Sequence, residues 1–220
     1  MTETHKIAPK HMRVIAIGLI GLGIAGLVLG GFMLVRNKPS AVARVKSVNV
    51  EPAPSSKKPS QSSVESYTVP PTNPRYINIP AINITNTPII KLGLLKSGAI
   101  AAPANIFEAG WYKDSSLPGQ KGAMFIYGHV SSWTAKGLFY SLHRLKAGDT
   151  VKIVRGDNTT YTYKVISSKT YPYDKVNMNE VLSPIDTSRP GLNLMTCTGQ
   201  VIKGTSEFNQ RLVIFTSLVS

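Results

Sequence analysis

The stretch Tyr76-Ile77-Asn78-Ile79-Pro80-Ala81-Ile82-Asn83-Ile84 alternates apolar and polar side chains with a period of two, the pattern of a half-buried strand pair. Working outward from it, further strands are expected at Thr87 to Lys91, Ala123 to Tyr127, Thr150 to Arg155, Thr159 to Ser168, Gly191 to Thr196 and Leu212 to Leu218. Gly156-Asp157-Asn158 supplies turn residues between two of these. Helical periodicity is scarce. Gly137 to Leu145 and Val176 to Leu182 each have room for a turn or two. Seven or eight short strands in residues 76–220 predict an all-β barrel or sandwich.

Upstream the composition changes twice. Residues 36–75 carry Pro39, Pro52, Pro54, Pro59, Pro70, Pro71 and Pro74, with eight serines and few large apolar side chains. Such a segment buries too little surface to offset its ordering entropy and reads as a disordered tether. Val14 to Val35 is an uncharged apolar run of 22 residues. At about 1.5 Å per residue it spans a hydrocarbon core of about 30 Å. It is too long for a typical cleaved leader, so a retained signal anchor is expected, preceded by a cytoplasmic tail over residues 1–13. Gly21, Gly23 and Gly26 spell GxGxxG, but a dinucleotide loop needs a soluble strand before it and a helix after it. Basic residues flank both sides of the span, so their count is close to a tie. The expected topology, domain outside, rests on long domains translocating largely regardless of such counts.

The whole chain has 220 residues and a formal charge of +14. Lys6, Lys10, Arg13, Arg36, Lys38, Arg44 and Lys46 stand against Glu3 alone around the span, whereas residues 76–220 disperse 15 basic and 8 acidic residues without a basic run. This distribution fits a membrane-flanking charge and speaks against a nucleic-acid partner.

A single cysteine excludes a disulfide framework and any multi-thiolate metal site. Cys197 closes the apolar strand Gly191-Leu192-Asn193-Leu194-Met195-Thr196, where a rigid core presents a side chain at a strand end. It is either a small buried hydrophobe or a nucleophile. His129 closes Phe125-Ile126-Tyr127-Gly128 and is either a loop histidine or the base and acid for that thiol. Arg211 opens the last strand, Arg211-Leu212-Val213-Ile214-Phe215, as a solvated edge residue or as a fork for a developing oxyanion. His143 sits in a helical turn and is read as structural. The sparse acids, Glu108, Asp114 and Asp174 among them, suggest no metal cage, and no cofactor is expected.

Anchor, tether, β-domain, Gly128-His129, Leu194-Met195-Thr196-Cys197 and Arg211 before the final strand together resemble the sortases, cysteine transpeptidases of the Gram-positive type of cell surface. The similarity covers about residues 74–220. Gly128-His129-Val130-Ser131-Ser132, Gly137-Leu138-Phe139-Tyr140, Leu145 and Gly148-Asp149-Thr150-Val151 look most like class F. The resemblance implies a closed eight-stranded barrel, with Cys197 as nucleophile, His129 as general acid and base, and Arg211 as substrate and oxyanion clamp. It implies that Thr196 shapes the substrate pocket. The partners it implies are surface proteins bearing an LPXTG-like signal, cut between Thr and Gly, and a cell-wall amine that accepts the acyl group. One departure is Asn193, where the family often has threonine. Two alternatives stay open on the residues alone: an L,D-transpeptidase-like cysteine enzyme, which expects a Ser-x-Gly-Cys-like setting, and a tethered, non-catalytic wall-binding module with an inert thiol.

Overall fold

A computed structural model of the chain describes residues 53–220. The expected tail, membrane span and first part of the tether lie outside the described residues. Among those described, no helix is long and apolar enough to cross a membrane.

Eight strands form one closed sheet: β1 Pro74–Ile79, β2 Ile84–Leu92, β3 Ala109–Tyr112, β4 Ala123–Gly128, β5 Thr150–Arg155, β6 Thr160–Pro172, β7 Gly191–Val201 and β8 Phe208–Leu218. Their order around the barrel is β1-β2-β3-β4-β7-β8-β6-β5, with β5 returning to β1. The β2–β3 and β4–β7 pairs are parallel and the rest antiparallel, so the sheet is mixed. Parallel neighbours need a crossover connection. The long one from β4 to β7 encloses β5, β6 and the four-residue helix α2, Met178–Val181.

Alternation decides which side chains fill the barrel. Ile77, Ile79, Ile89, Met124, Ile126, Val151, Ile153, Tyr163, Leu192, Leu194 and Ile214 form the interior cluster. Phe125, Val213 and Phe215 point the other way, into a second cluster with Tyr171 and Val181. Because β4 is covered on both faces it reads as the unbroken apolar run Ala123-Met124-Phe125-Ile126, as a central parallel strand does. Asn193 belongs to that outer side of β7. Its amide donates to the carbonyls of Val181 and Ser183, each at 2.8 Å, which pins the β6–β7 connection to the strand. Asn193→Ala removes both bonds and strands two carbonyls, so we expect a loss of about 2 kcal/mol in urea unfolding.

The opening stretch is half right as a strand pair. Tyr76 to Ile79 lies in β1, but Pro80–Ile82 is a single 3-10 turn closed by Asn83 at φ 58°. Proline cannot donate to a ladder, and asparagine tolerates the left-handed region that the turn requires. Strand pairing resumes only at Ile84.

The tether expected over residues 36–75 is not free over its described part. Ser55 pairs with the segment after Pro103, its N–H donating to the Ala104 carbonyl at 2.8 Å while its own carbonyl accepts from Ile106 at 3.0 Å. Ser60 then caps a one-turn helix, α1 (Gln61–Glu65), by accepting from the Ser63 N–H. Tyr67 donates its hydroxyl to the Ile89 carbonyl at 2.7 Å, and Arg75 donates to the Tyr67 carbonyl at 2.7 Å. Average composition hides such anchors, because two or three aromatic and cationic side chains suffice to lay an otherwise polar segment along a barrel.

Candidate active site

Three adjacent strands carry the predicted residues on the outer side of the barrel; β7 and β8 run on as a hairpin past the site, so Cys197 and Arg211 lie within these strands and not at the strand ends expected from the sequence. In β7 and β8, Cys197 and Arg211 are direct partners in the antiparallel register. By alternation Cys197 lies on the face of Met195, and Arg211 on that of Val213 and Phe215. The parallel β4–β7 ladder ends with Tyr127 opposite Met195. Carried two residues further, that register sets His129 level with Cys197. The topology therefore brings the three sequence-predicted residues from positions 129, 197 and 211 to one edge of three adjacent strands.

Thr196, between them, turns inward. It is 2% exposed, and its hydroxyl donates to the Gly128 carbonyl at 2.7 Å. This bond braces β7 to β4 behind the site, at the residues that carry Cys197 and His129.

Cys197 is half-buried. Its sulfur lies 3.2 Å from the hydroxyl oxygen of Tyr127. Burial pushes the thiol above its ordinary pKa, and Glu207 pushes the same way. The Arg211 guanidinium and the bond to Tyr127 oppose that shift. Burial and the neighbouring Cys197 hold the Tyr127 phenol well above its own usual value, so it keeps its proton at physiological pH.

His129 is also half-buried, with Nε2 2.8 Å from the Pro103 carbonyl. A carbonyl can only accept, so Nε2 carries hydrogen and Nδ1 is the nitrogen left to exchange a proton. The Tyr127 and His129 rings meet edge to face, their centroids 6.1 Å apart. His143 lies on an exposed 3-10 turn and contacts the Tyr140 carbonyl, consistent with a structural place.

Arg211 is held by three acceptors. One terminal nitrogen donates to the carbonyls of Phe208 and Gln210, at 2.8 and 3.1 Å, and the other to the Glu207 carboxylate at 2.8 Å. The Arg211 side chain is only 14% exposed, and Tyr173 stacks near its guanidinium. The last strand thus presents a charged fork in a fixed orientation beside the sulfur strand. Among the described residues, no group of three His, Cys, Asp or Glu gathers to hold a metal.

The loop after His129 folds straight back on it. Gly137 donates to the Val130 carbonyl, and Phe139 to that of His129, both at 2.9 Å. A Cβ on Gly137 would meet the His129 carbonyl oxygen at 2.4 Å and its carbon at 2.9 Å. Backbone cannot step aside as a flexible side chain can. Gly137→Ala should therefore shift His129, lowering kcat/KM by about 10- to 100-fold while costing about 1–3 kcal/mol of stability. Steady-state kinetics beside a denaturant titration check this.

Sequence reasoning missed Tyr127, Pro103, Glu207 and Gly137. Tyr127 lay inside a quoted strand, and its position two residues before His129 places it on the same face. The contacts of Pro103 and Glu207 leave no pattern in the sequence.

The fold is shared with known proteins. The family model described as Sortase domain matches residues 77–219. The crystal structure of sortase C1 from Streptococcus agalactiae is 27% identical, with a TM-score of 0.51, covering 68% of this chain and 68% of that one. Sortase C of Streptococcus pneumoniae is 22% identical at a TM-score of 0.51, covering 76% of this chain and 75% of that one. Sortase A from Corynebacterium diphtheriae is 24% identical at a TM-score of 0.50, covering 66% of this chain, and this chain spans 59% of that protein. The latter two, at such identities, speak for the fold alone. No curated protein matches the chain.

Proposed function

The chain belongs to the sortase family of cysteine transpeptidases that act on sorting signals, and from that premise we propose that Cys197, His129 and Arg211 cut an LPXTG-like signal and transfer it to a cell-wall amine. The observation that carries this reading is the register: Cys197 opposite Arg211 across β7 and β8, and β4 leading into His129 beside them.

In the first half-reaction the Cys197 proton passes to Nδ1 of His129, and the sulfur attacks the carbonyl carbon of the Thr-Gly bond. Negative charge gathers on the carbonyl oxygen, where the Arg211 fork meets it. As the tetrahedral species collapses, the C–N bond breaks and His129 returns the proton to the departing glycine amine. A thioester joins Cys197 to the threonine carbonyl. In the second half an incoming amine attacks that thioester, gives its proton to His129, and releases the Cys197 sulfur with a new amide formed. The Pro103 carbonyl keeps the imidazole oriented through both halves, because it holds the nitrogen that does not exchange.

We place the chain nearest class F within the family, on Gly128-His129-Val130-Ser131-Ser132 and Gly148-Asp149-Thr150-Val151. Residues 14–35 would anchor it in the cell membrane, with the catalytic domain outside, where sorting signals and wall precursors meet. The experiment is to incubate the full-length protein with peptides carrying LPXTG and variants, with and without an amine. Mass spectrometry should find an acyl adduct on the protein and a ligated product that requires the amine. Absence of both across the peptide panel would refute the reading.

A further inference from the structure

The proposed machinery is a nucleophile, a proton carrier and a cation, yet the side-chain group hydrogen-bonded to the Cys197 sulfur belongs to none of these. It is the Tyr127 hydroxyl, 3.2 Å away. We propose that Tyr127 is a fourth catalytic residue, donating its O–H to the Cys197 sulfur and stabilising that sulfur as the attacking and departing anion. This inference rests on the reading of Cys197 as the nucleophile.

Three observations support it. First, Tyr127 is fixed in place: it is the second-last residue of β4, in register with Met195 of β7, and its ring packs against the outer cluster that holds Phe125 and Val213. Second, the direction of the bond follows from proton affinities. The phenol is pushed well above its usual range and the thiol is the weaker holder of its proton, so once the sulfur ionises the phenol remains a donor. Third, the Arg211 charge favours the anion, but the hydrogen bond to sulfur comes from Tyr127. The groups facing the sulfur are Tyr127 from β4, Arg211 from β8 and Glu207 from the turn before β8, and the His129 ring meets that of Tyr127 edge to face. Glu207 repels a thiolate, and two of the Arg211 bonds go to main-chain carbonyls and a third to Glu207 itself. Tyr127 is the one neutral donor in hydrogen-bond reach of sulfur among the described residues.

No proton leaves Tyr127 in this scheme. The phenol bonds to the thiolate before attack, releases it as sulfur joins the carbonyl carbon, and receives it again when the acyl group departs to the amine. His129 carries every transferred proton.

The test uses the full-length chain and its single thiol. Tyr127→Phe keeps the ring and removes only the donor. A bond to an ion is worth roughly a tenfold change in thiolate population, while the more basic sulfur left behind is intrinsically about threefold more nucleophilic. Alkylation by iodoacetamide should accordingly slow by about threefold at pH 7.5 and quicken at pH well above the thiol's titration, so the two rate profiles cross. A packing defect would move both ends in the same direction. Replacement of Tyr127 by 3-fluorotyrosine, a stronger donor of the same shape, should displace the profile the opposite way. In parallel, kcat/KM for an LPXTG peptide should fall about threefold or more in Tyr127→Phe.

Superimposable alkylation profiles for Tyr127→Phe and wild type would overturn the inference, as would a displaced profile with unchanged kcat/KM. Alkylation does not depend on peptide turnover, so the contact is tested even if every sorting peptide fails. Turnover that survives Cys197→Ala would instead strike at the reading of the enzyme itself.

Discussion

Cys197→Ala should abolish the acyl adduct and leave peptide transfer at or below about one part in 10⁴ of the wild-type rate. Removing the nucleophile of a covalent mechanism costs on this scale because the remaining groups stabilise a transition state that no longer forms. The chain contains one cysteine, so any thioester mass found on wild-type protein belongs to a single atom and its loss in the variant is unambiguous. Structure gives the variant little else to fail by. Cys197 is half-buried within β7, and the backbone pairing of β7 with β8 does not involve its side chain. Alanine deletes one sulfur from a half-buried position, with a stability change of about 1 kcal/mol. The thermal midpoint should hold while transfer disappears. Undiminished transfer in a folded Cys197→Ala protein would leave the register of β4, β7 and β8 without a chemical purpose.

That register shows where sequence reading is strong and where it stops. Period-two alternation located β5 and part of β6, which have one face in the barrel, while β4, β7 and β8 showed as short apolar runs because both of their faces are covered. It passed over β3, Ala109-Gly110-Trp111-Tyr112, where two small residues interrupt any pattern. A Cβ at Gly110 would press on the Leu92 side chain, which would have to move aside. Cys197 and Arg211 were each singled out in the sequence, and the fold makes them partners because a short connection joins these consecutive antiparallel strands. His129 was legible as a residue closing an apolar strand, but its role beside Cys197 was implied only by the family resemblance, since β4 and β7 are parallel neighbours separated by 62 residues of chain (from Gly128 to Gly191, exclusive). Tyr127 illustrates the limit most clearly. Its letter was in view, and alternation even puts it on the face of the site, but nothing in a linear sequence says that its hydroxyl ends beside a sulfur. Asn193 is similar: a departure from the family's usual threonine in sequence, it is in the fold the clasp that holds the β6–β7 connection.

Arg211→Lys should keep the charge and lose most of the rate, with kcat/KM falling about 10²- to 10³-fold, the range expected when a main oxyanion donor is removed. The guanidinium is placed by division of labour. One terminal nitrogen is spent on the carbonyls of Phe208 and Gln210, which fixes the plane, and the other reaches Glu207. The hydrogens not used in these bonds keep their direction from that plane. A lysine ammonium has three donors on a flexible stem. It can satisfy the same two carbonyls or face the substrate oxygen, but lacks the rigid fork that does both. Glu207→Gln separates geometry from charge. The Glu207–Arg211 pair joins a 57% exposed carboxylate to a 14% exposed guanidinium, and an ion pair so open to solvent contributes only about 0–1 kcal/mol. Since the two main-chain bonds remain, Glu207→Gln should alter kcat/KM by no more than about fivefold. Its loss also removes a negative charge that holds the Cys197 proton in place, so alkylation at neutral pH should become faster. Equal kinetic damage from Arg211→Lys and Glu207→Gln would mean that the ion pair, not the fork, is what the last strand contributes. A near-normal Arg211→Lys enzyme would remove Arg211 from the chemistry altogether.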